Sequence, residues 1–166
     1  MDSKTEWNIE WDCQKVLRRY NGHVARREFE KAVALFAPDV EFDAMGVTLK
    51  GRAALLEALR GALSEGTVRH VITNTVVNVI DENHATARSY HTNYYSQDGK
   101  REEIDGPLEF EGPHRVEDDD VELVRTDAGW QIARRREQII FRRQPNKKVG
   151  LEIWAEQEDK FSQGGM

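Results

Sequence analysis

The chain has little of what marks a secreted or membrane-spanning protein. Cys13 is its single cysteine among 166 residues, which rules out an internal disulfide framework and fits a reducing compartment. No apolar run reaches the length of a membrane span. The polar N-terminal segment MDSKTEWNIEWD also lacks the apolar core of a signal peptide. We therefore expect a cytoplasmic protein that has no membrane partner.

Several short motifs of well-known enzyme classes are also missing. The chain contains no Cys-x-x-Cys, His-Glu-x-x-His, Gly-x-Gly-x-x-Gly or Gly-x-Ser-x-Gly pattern, which argues against the metal sites, dinucleotide loops and nucleophile elbows that these patterns mark. The acidic run 117–120 has no metal ligand at suitable spacing around it, so we interpret it as a solvated strand end. We predict no metal and no organic cofactor.

The charge balance argues weakly against a nucleic-acid partner. The net charge is −6, with 30 acidic against 24 basic residues, and a nucleic-acid backbone repels such a surface. Basic residues do cluster at 134–136 and 142–143. On a strand, however, the first cluster is divided between the two faces. We interpret these arginines as solvated charges and predict no nucleic-acid binding.

The spacing of apolar residues changes along the chain from a helical period to a strand period. The helical part comes first, and long strands follow Gly66. Helices followed by strands are typical of an α+β fold, in which helices pack on one face of an antiparallel sheet. We predict helices over 12–25, 27–36 and 52–63, short strands over 39–45 and 47–49, and long strands over 68–80, 85–96, 107–124 and 130–143.

The length favours one domain over two. We assign residues 1–143 to a single domain and residues 144–166 to a C-terminal tail. The tail carries the apolar residues Leu151, Ile153, Trp154 and Phe161 after a polar loop. It is either a short helix that acts as a lid over the sheet or a loose end.

Two neighbouring strands carry an unusual set of polar residues on one predicted face. The first strand has His70 and Asn74 at alternate positions, and the second has His91, Asn93 and Tyr95. A four-residue loop at 80–83 or 81–84 sets even positions of one strand opposite odd positions of the other. Both imidazoles then share a face with small side chains, which is typical of a pocket wall and not of a packed core.

The element order and three phrases, RREFEKAVALFAPDVEFD, VRHVITNTVVNV and DAGWQIARRREQIIF, resemble the SnoaL-like branch of the nuclear-transport-factor-2 superfamily. The resemblance covers most of 16–141. It implies a cone-shaped, cystatin-like α+β roll, in which three N-terminal helices pack on a strongly curved sheet and enclose a pocket. Relatives include dehydratases, a dehydrochlorinase, an epoxide hydrolase, isomerases and cyclases, and also a non-catalytic subunit of ring-hydroxylating dioxygenases.

The resemblance implies particular residues in catalytic roles. Dehydratases of this family have a histidine within a His-x-x-x-Asn pattern after the third helix, which matches His70 and Asn74. A polar residue of the first helix matches Tyr20, and an arginine of the last strand matches Arg135. These matches imply that His70 is a general base, while Tyr20 and Arg135 hold the substrate oxygen. The residues expected to bind substrate are His91, Asn93, Tyr95, Asn74 and Glu137.

One position departs from the family pattern. The aspartate that orients the catalytic histidine in these relatives falls at Ala25, which offers no carboxylate. A histidine base needs an acceptor on its second nitrogen to fix its tautomer. Either Glu137, Asp119 or Glu117 replaces that aspartate, since strand parity can bring each inward, or the dyad is lost.

The leading hypothesis is a cofactor-free lyase or isomerase that acts on a small hydrophobic, oxygenated molecule such as a polyketide, steroid or terpenoid. Two alternatives remain open: a binding protein without catalysis, and a scaffold subunit of a larger oxygenase. The β-branched and aromatic outer face of the sheet also suits a homodimer. That face is expected to carry Val71, Thr73, Thr75, Val77, Val79, Tyr90, Thr92 and Tyr94.

Overall fold

Three helices and two short strands precede four long strands, which confirms the α+β class and the three N-terminal helices. The structure is a computed structural model that describes residues 1–44, 46–96, 105–108 and 112–143. The predicted lid helix in 144–166 lies outside these residues. The elements are α1 (Ser3–Ala25), α2 (Phe29–Val33), β1 (Phe36–Ala44), β2 (Val47–Lys50), α3 (Gly51–Ala62), β3 (Thr67–Val79), β4 (His84–Ser96), β5 (Arg115–Thr126) and β6 (Gly129–Arg142).

The helices differ from the prediction at their ends. Helix α1 begins nine residues earlier than predicted, at Ser3, because the Asp2 carboxylate accepts hydrogen bonds from the N–H groups of Lys4 and Thr5, each at 3.0 Å. Helix α2 is shorter than predicted because Phe36 already pairs with β6 as the first residue of β1. Among the described residues, no helix is long and apolar enough to cross a bilayer.

The six strands form one curved, unclosed sheet in the order β2-β1-β6-β5-β4-β3. The long strands β3 to β6 follow one another as antiparallel neighbours, as predicted. The pair β1 and β6 differs from the prediction, since these two strands run parallel. This parallel contact brings the N-terminal strands against the last strand, and α1 packs across β3 and β6 while α3 packs on β1.

An apolar core fills one end of the concave face. Phe36, Leu55, Leu123 and Ile132 are almost completely buried there. The register places Leu123 opposite both Ala85 and Ile132, so this part of the sheet presents mainly apolar side chains to the helices, and buried Gln131 donates to the Ala34 carbonyl beside them. Burial of this surface is the main stabilising contribution to the fold.

A β-bulge in β3 overturns the predicted position of Asn74. Asn74 and Thr75 together lie opposite the single residue Ser89, and Asn74 adopts the left-handed conformation with φ 52°. Before the bulge, the even-numbered side chains of β3 point inward, whereas after the bulge the odd-numbered ones do. The expectation that Asn74 shares a face with His70 is wrong, because Asn74 is exposed on the outer face.

The same bulge corrects the predicted outer face and the predicted loop. Val77 is buried and Val79 packs against the core, whereas Val76 takes their place on the outer face. Next to the loop, Val79 pairs with Ala85, so five residues lie between these two paired positions and odd positions lie opposite odd positions there. On the other side of the bulge, even positions of β3 lie opposite odd positions of β4, as His70 does opposite Asn93. The predicted shared face of His70 and His91 is thus confirmed, but loop length alone does not cause it.

Candidate active site

A cavity opens at the other end of the concave face, between α1, α3 and the strands β3 to β6. Its volume is about 90 Å³. This space exceeds what one water needs and admits a compact ligand. Its lining is mixed, with Tyr20, His70, Asn93, Tyr95, His114, Arg115 and Glu137 as the polar residues and Val24, Phe42, Leu59, Ala62, Leu63 and Val68 as the apolar ones.

His70 lies in the wall of this cavity, near the start of β3. Part of its surface faces the cavity, but its Nδ1 atom is buried and has no hydrogen-bond partner within the described part of the chain. Burial is the main cause that lowers the pKa of His70, to about 3, and the charges of Arg135 and Arg115 act in the same direction while Asp119 opposes them. The imidazole is therefore neutral at pH 7 and keeps a free lone pair.

The oriented histidine of the site is His91 and not His70. Asp119 Oδ2 lies 3.1 Å from His91 Nε2, and Arg135 donates to His91 Nδ1 at 3.2 Å. A guanidinium only donates, so Nδ1 accepts and Nε2 carries the proton that faces Asp119. Asp119 thus supplies the carboxylate that Ala25 lacks, but to the second imidazole. His91 is buried beneath the cavity and does not line it.

Arg135 is the centre of the buried polar network. Its Nε donates to Asp119 at 2.8 Å, and its guanidinium lies 3.0 Å from Glu137, so these two β6 residues form an inward ion pair. Arg135 is only 2% exposed and lies 4.6 Å above the Tyr20 ring, behind the cavity wall. We expected Arg135 to touch substrate, but it does not line the cavity. It lies against the rings of Tyr20 and Phe42, which do line it.

Tyr20 does line the cavity, and its environment keeps its phenol protonated. Burial raises the pKa of Tyr20 to about 12, and Arg135 only partly offsets this. A neutral phenol can donate a hydrogen bond to a substrate oxygen on which negative charge develops. Tyr20 can thus take the donor role that the resemblance implies.

The prediction that the acidic run 117–120 is a solvated strand end is wrong for Glu117 and Asp119. Both point inward from β5 and are 1% exposed, while Asp120 lies on the outer face. Arg135 and His91 outweigh the effect of burial on Asp119 and lower its pKa. For Glu117, burial and the nearby Glu137 outweigh Arg115, Arg135 and the Asn93 hydrogen bond, and its pKa rises to about 7.

His91, Glu117 and Glu137 bring one potential metal-ligand atom each to within 4.8 Å of one another. Both ring nitrogens of His91 are already engaged, by Asp119 and Arg135. The Arg135 guanidinium also contacts Glu137 directly. A divalent cation would face the guanidinium groups of Arg135 and Arg115, so these residues do not fit a metal site, and the two arginines offset part of the carboxylate charge.

The three remaining residues that were predicted to bind substrate all line the cavity. Asn93, Tyr95 and Glu137 line the cavity, and the Asn93 amide donates to the Glu117 carboxylate. Sequence reasoning missed His114 and Arg115, which line the cavity from the start of β5. Their inward position follows from the pairing of Asn93 with Arg115, a long-range register that no local pattern encodes.

Helices packed on a curved, unclosed sheet around a polar pocket define a cystatin-like α+β protein. A model of the SnoaL-like domain matches residues 5–136, and the chain belongs to this family. No protein with a curated description matches the chain.

Solved structures share this fold. A candidate scytalone dehydratase from Novosphingobium aromaticivorans is 19% identical, with a TM-score of 0.74 over 89% of this chain and 95% of that chain. A protein of unknown function from Mycobacterium tuberculosis is 18% identical, with a TM-score of 0.75 over 96% and 92%. A nuclear-transport-factor-2-like protein from N. aromaticivorans is 25% identical, with a TM-score of 0.63 over 78% and 80%.

Proposed function

We propose that this protein is a cofactor-independent lyase or isomerase that removes a proton from a compact, hydrophobic, oxygenated substrate. The observation that carries the proposal is the state of His70, a neutral imidazole in the cavity wall whose Nδ1 makes no hydrogen bond to the described residues. A base needs a free lone pair beside the substrate, and His70 has one. The resemblance to a candidate scytalone dehydratase supports the same class of chemistry.

The low pKa of His70 describes the site before substrate binds. Proton removal beside a carbonyl places negative charge on the carbonyl oxygen, and that charge stabilises an imidazolium nearby. The neutral phenol of Tyr20 donates to this oxygen from the same cavity. Arg135 is too deeply placed to touch it, but its positive charge lies behind the Tyr20 ring and favours the developing anion.

The size and lining of the cavity favour a particular kind of substrate. The buried polar atoms His70 Nδ1 and Asn93 Oδ1 both lack partners among the described residues. A ligand that carries hydroxyl groups would satisfy them. Apolar residues of α1 and α3 complete the lining. We infer a hydroxylated molecule of one or two rings, a small polyketide or terpenoid in preference to a steroid.

A non-catalytic binding protein is the second candidate, and one observation favours it. Asp119 orients His91, so no carboxylate is bonded to His70 in the described structure. A pocket that had lost its dyad would still bind a hydrophobic ligand. The two functions differ in whether the protein accelerates proton transfer.

The experiment uses β-tetralone, a two-ring ketone with acidic protons beside its carbonyl group. The exchange of these protons in deuterated buffer is followed by NMR for the wild type, His70→Gln and the control His84→Gln, which changes an exposed imidazole of the β3–β4 turn. We expect exchange above the buffer rate in the wild type and the control, and a loss of at least about a hundredfold in His70→Gln. Equal exchange in His70→Gln and the wild type would refute the assignment of the base.

We also propose that two copies of the chain pair through the outer face of the sheet. Exposed apolar residues Val71, Val76, Tyr90 and Ile140 lie on this face. Charges of both signs accompany them, including the ion pair of Arg88 and Asp120 at 2.7 Å. Such a mixture is self-complementary under a two-fold axis.

A further inference from the structure

The buried network beneath the cavity holds more acidic than basic groups. Among the described residues, Asp119, Glu117 and Glu137 face two guanidinium groups, those of Arg115 and Arg135. Burial lowers the pKa of His70 and of His114, and Nδ1 of His91 accepts a hydrogen bond from Arg135 and so carries no hydrogen. An unbalanced charge in such an enclosed site is unfavourable, so the network favours one additional proton.

The hydrogen bonds decide which carboxyl group takes this proton. Asp119 faces two donors, Arg135 Nε and His91 Nε2, which stabilise its ionised form. Glu137 contacts Arg135 and is partly open to the cavity. Glu117 is more deeply buried and, among the described residues, accepts one hydrogen bond, from Asn93, while its Oε1 lies 2.5 Å from Arg115 Nε without a hydrogen-bond geometry. Glu117 is therefore the group that holds the proton.

Glu117 is close enough to Glu137 for the proton to move between them. One carboxylate oxygen of each lies within 4.8 Å of the other, a separation that one bridging water can span. Asn93 donates to Glu117 Oε2, and the remaining Asn93 atom, Oδ1, is buried, unpartnered and at the cavity wall. The cavity thus connects Glu137, Asn93 and Glu117 in one polar corner opposite the apolar lining.

We propose that Glu117 and Glu137 form a proton-sharing pair that supplies the general acid of the reaction. Glu137 touches the substrate, and Glu117 is a positioning residue that stores the proton between turnovers. This role rests on the proposed lyase function and adds the group that protonates the leaving oxygen. His70 remains the base.

The step is balanced for a β-hydroxy ketone. His70 takes the proton from the carbon beside the carbonyl, and the electron pair of that C–H bond forms the new C=C bond. The bond from the β-carbon to the hydroxyl oxygen breaks, and this oxygen takes the proton of Glu137 and leaves as water. His70 then returns its proton to the carboxyl pair through the released water, which restores the starting state without a cofactor.

The first test needs no substrate. Glutamate side-chain carboxyl carbons are titrated by carbon-13 NMR in the wild type, Glu117→Gln, Glu137→Gln and the control Glu122→Gln, which lies on the exposed face of the same strand. We expect one glutamate to titrate near pH 7 in the wild type and the control. This signal should be absent in Glu117→Gln and should move to lower pH in Glu137→Gln. A wild-type protein in which every glutamate titrates in the ordinary range would overturn the pair.

The second test separates acid from base catalysis. The β-hydroxy derivative of α-tetralone, which becomes α-naphthol on loss of water, reports elimination, while β-tetralone exchange reports proton removal alone. In Glu137→Gln we expect elimination to fall at least about tenfold more than exchange, because exchange needs no leaving-group acid. In His70→Gln both reactions should fall together. Equal losses in Glu137→Gln would refute the acid role but leave the base, whereas unchanged exchange in His70→Gln would refute the proposed function itself.

Discussion

The concave face of the sheet has two ends that are equally buried and chemically opposite. At one end, Leu123 and Ile132 are at most 1% exposed and pack against apolar neighbours. At the other end of the same strands, Asp119 and Arg135 are at most 2% exposed and form a network of charges. The strands and their pairing continue from one end to the other.

The difference shows that burial has opposite energetic consequences at the two ends. Burial of the apolar end removes hydrocarbon from water and stabilises the fold. Burial of the polar end removes charges from water, and pairing only partly offsets that cost. His70, Asn93 and Glu117 even keep polar atoms without hydrogen-bond partners in the described structure. We interpret the polar end as a region whose residues serve the reaction at the expense of stability.

Arg135→Met should have the largest effect, because it removes the positive charge between Asp119 and Glu137. We expect the free energy of unfolding in urea to fall by about 3–5 kcal/mol, as for other buried pairs that lose one partner. Arg134→Met is the matched control on the outer face, where the pair of exposed Arg134 with half-buried Asp43 at 3.4 Å contributes about 1 kcal/mol or less. Similar small losses in both variants would show that the two ends of the sheet do not differ as proposed.

The pH dependence of stability should separate the two titrating groups of the polar end. The folded-state pKa of Glu117 is raised from 4.5 to about 7, so its stabilising contribution is complete below pH 4.5 and is lost as the pH rises to about 7. The folded-state pKa of His70 is lowered from 6.5 to about 3, so its contribution is present above pH 6.5 and is lost as the pH falls. The two contributions oppose each other in the wild type.

Unfolding of the wild type, Glu117→Gln and His70→Gln is therefore compared from pH 4.5 to 6.5. Relative to the wild type, Glu117→Gln should gain stability as the pH rises, and His70→Gln should lose it. The slope of each difference is at most about 1.4 kcal/mol per pH unit, the limit for one proton. Slopes of the same sign in both variants would contradict the assigned shifts.

His70→Leu should make the polar end resemble the apolar end. It removes a buried nitrogen that has no partner among the described residues, and such groups cost about 1–3 kcal/mol. We expect the protein to become more stable by about 1 kcal/mol and to lose proton exchange on β-tetralone. Lower stability together with full exchange activity would show that His70 is a packing residue.

Tyr90→Asp should have the smallest effect on folding, since Tyr90 is exposed on the outer face. We expect a change below about 0.5 kcal/mol in the free energy of unfolding of the monomer. The molar mass from light scattering should fall from that of two chains to that of one, because two aspartates would meet across the two-fold axis. A single-chain mass in the wild type would exclude the proposed homodimer.

Much of the fold could be predicted because it depends on local patterns. Helical spacing identified α1, α2 and α3, and alternation identified the strands. The parallel pairing of β1 with β6 could not be predicted in this way, because it joins residues nearly a hundred positions apart. The start of α1 was missed because its N-cap, Asp2, precedes the apolar stripe by several residues.

The candidate site could be predicted only in part. The shared face of His70 and His91 was found, but Asn74 was placed on that face wrongly because one extra residue in β3 reverses the parity. The inward position of Glu117 was left open, because an acidic run on a strand can present either alternate set to the core. The pairing of β5 with β4 and β6, and not the acidic run itself, decides which alternate set points to the core.

The sequence by itself determined the order of the elements, the family and the stock of acid–base side chains, because periodicity and residue type are local properties. The tertiary structure alone decided that Asp119 bonds His91, that Arg135 lies behind Tyr20, and that Glu117 meets Glu137. These contacts depend on the register of β4, β5 and β6. A shift of one residue in any of them would turn a buried charge toward solvent.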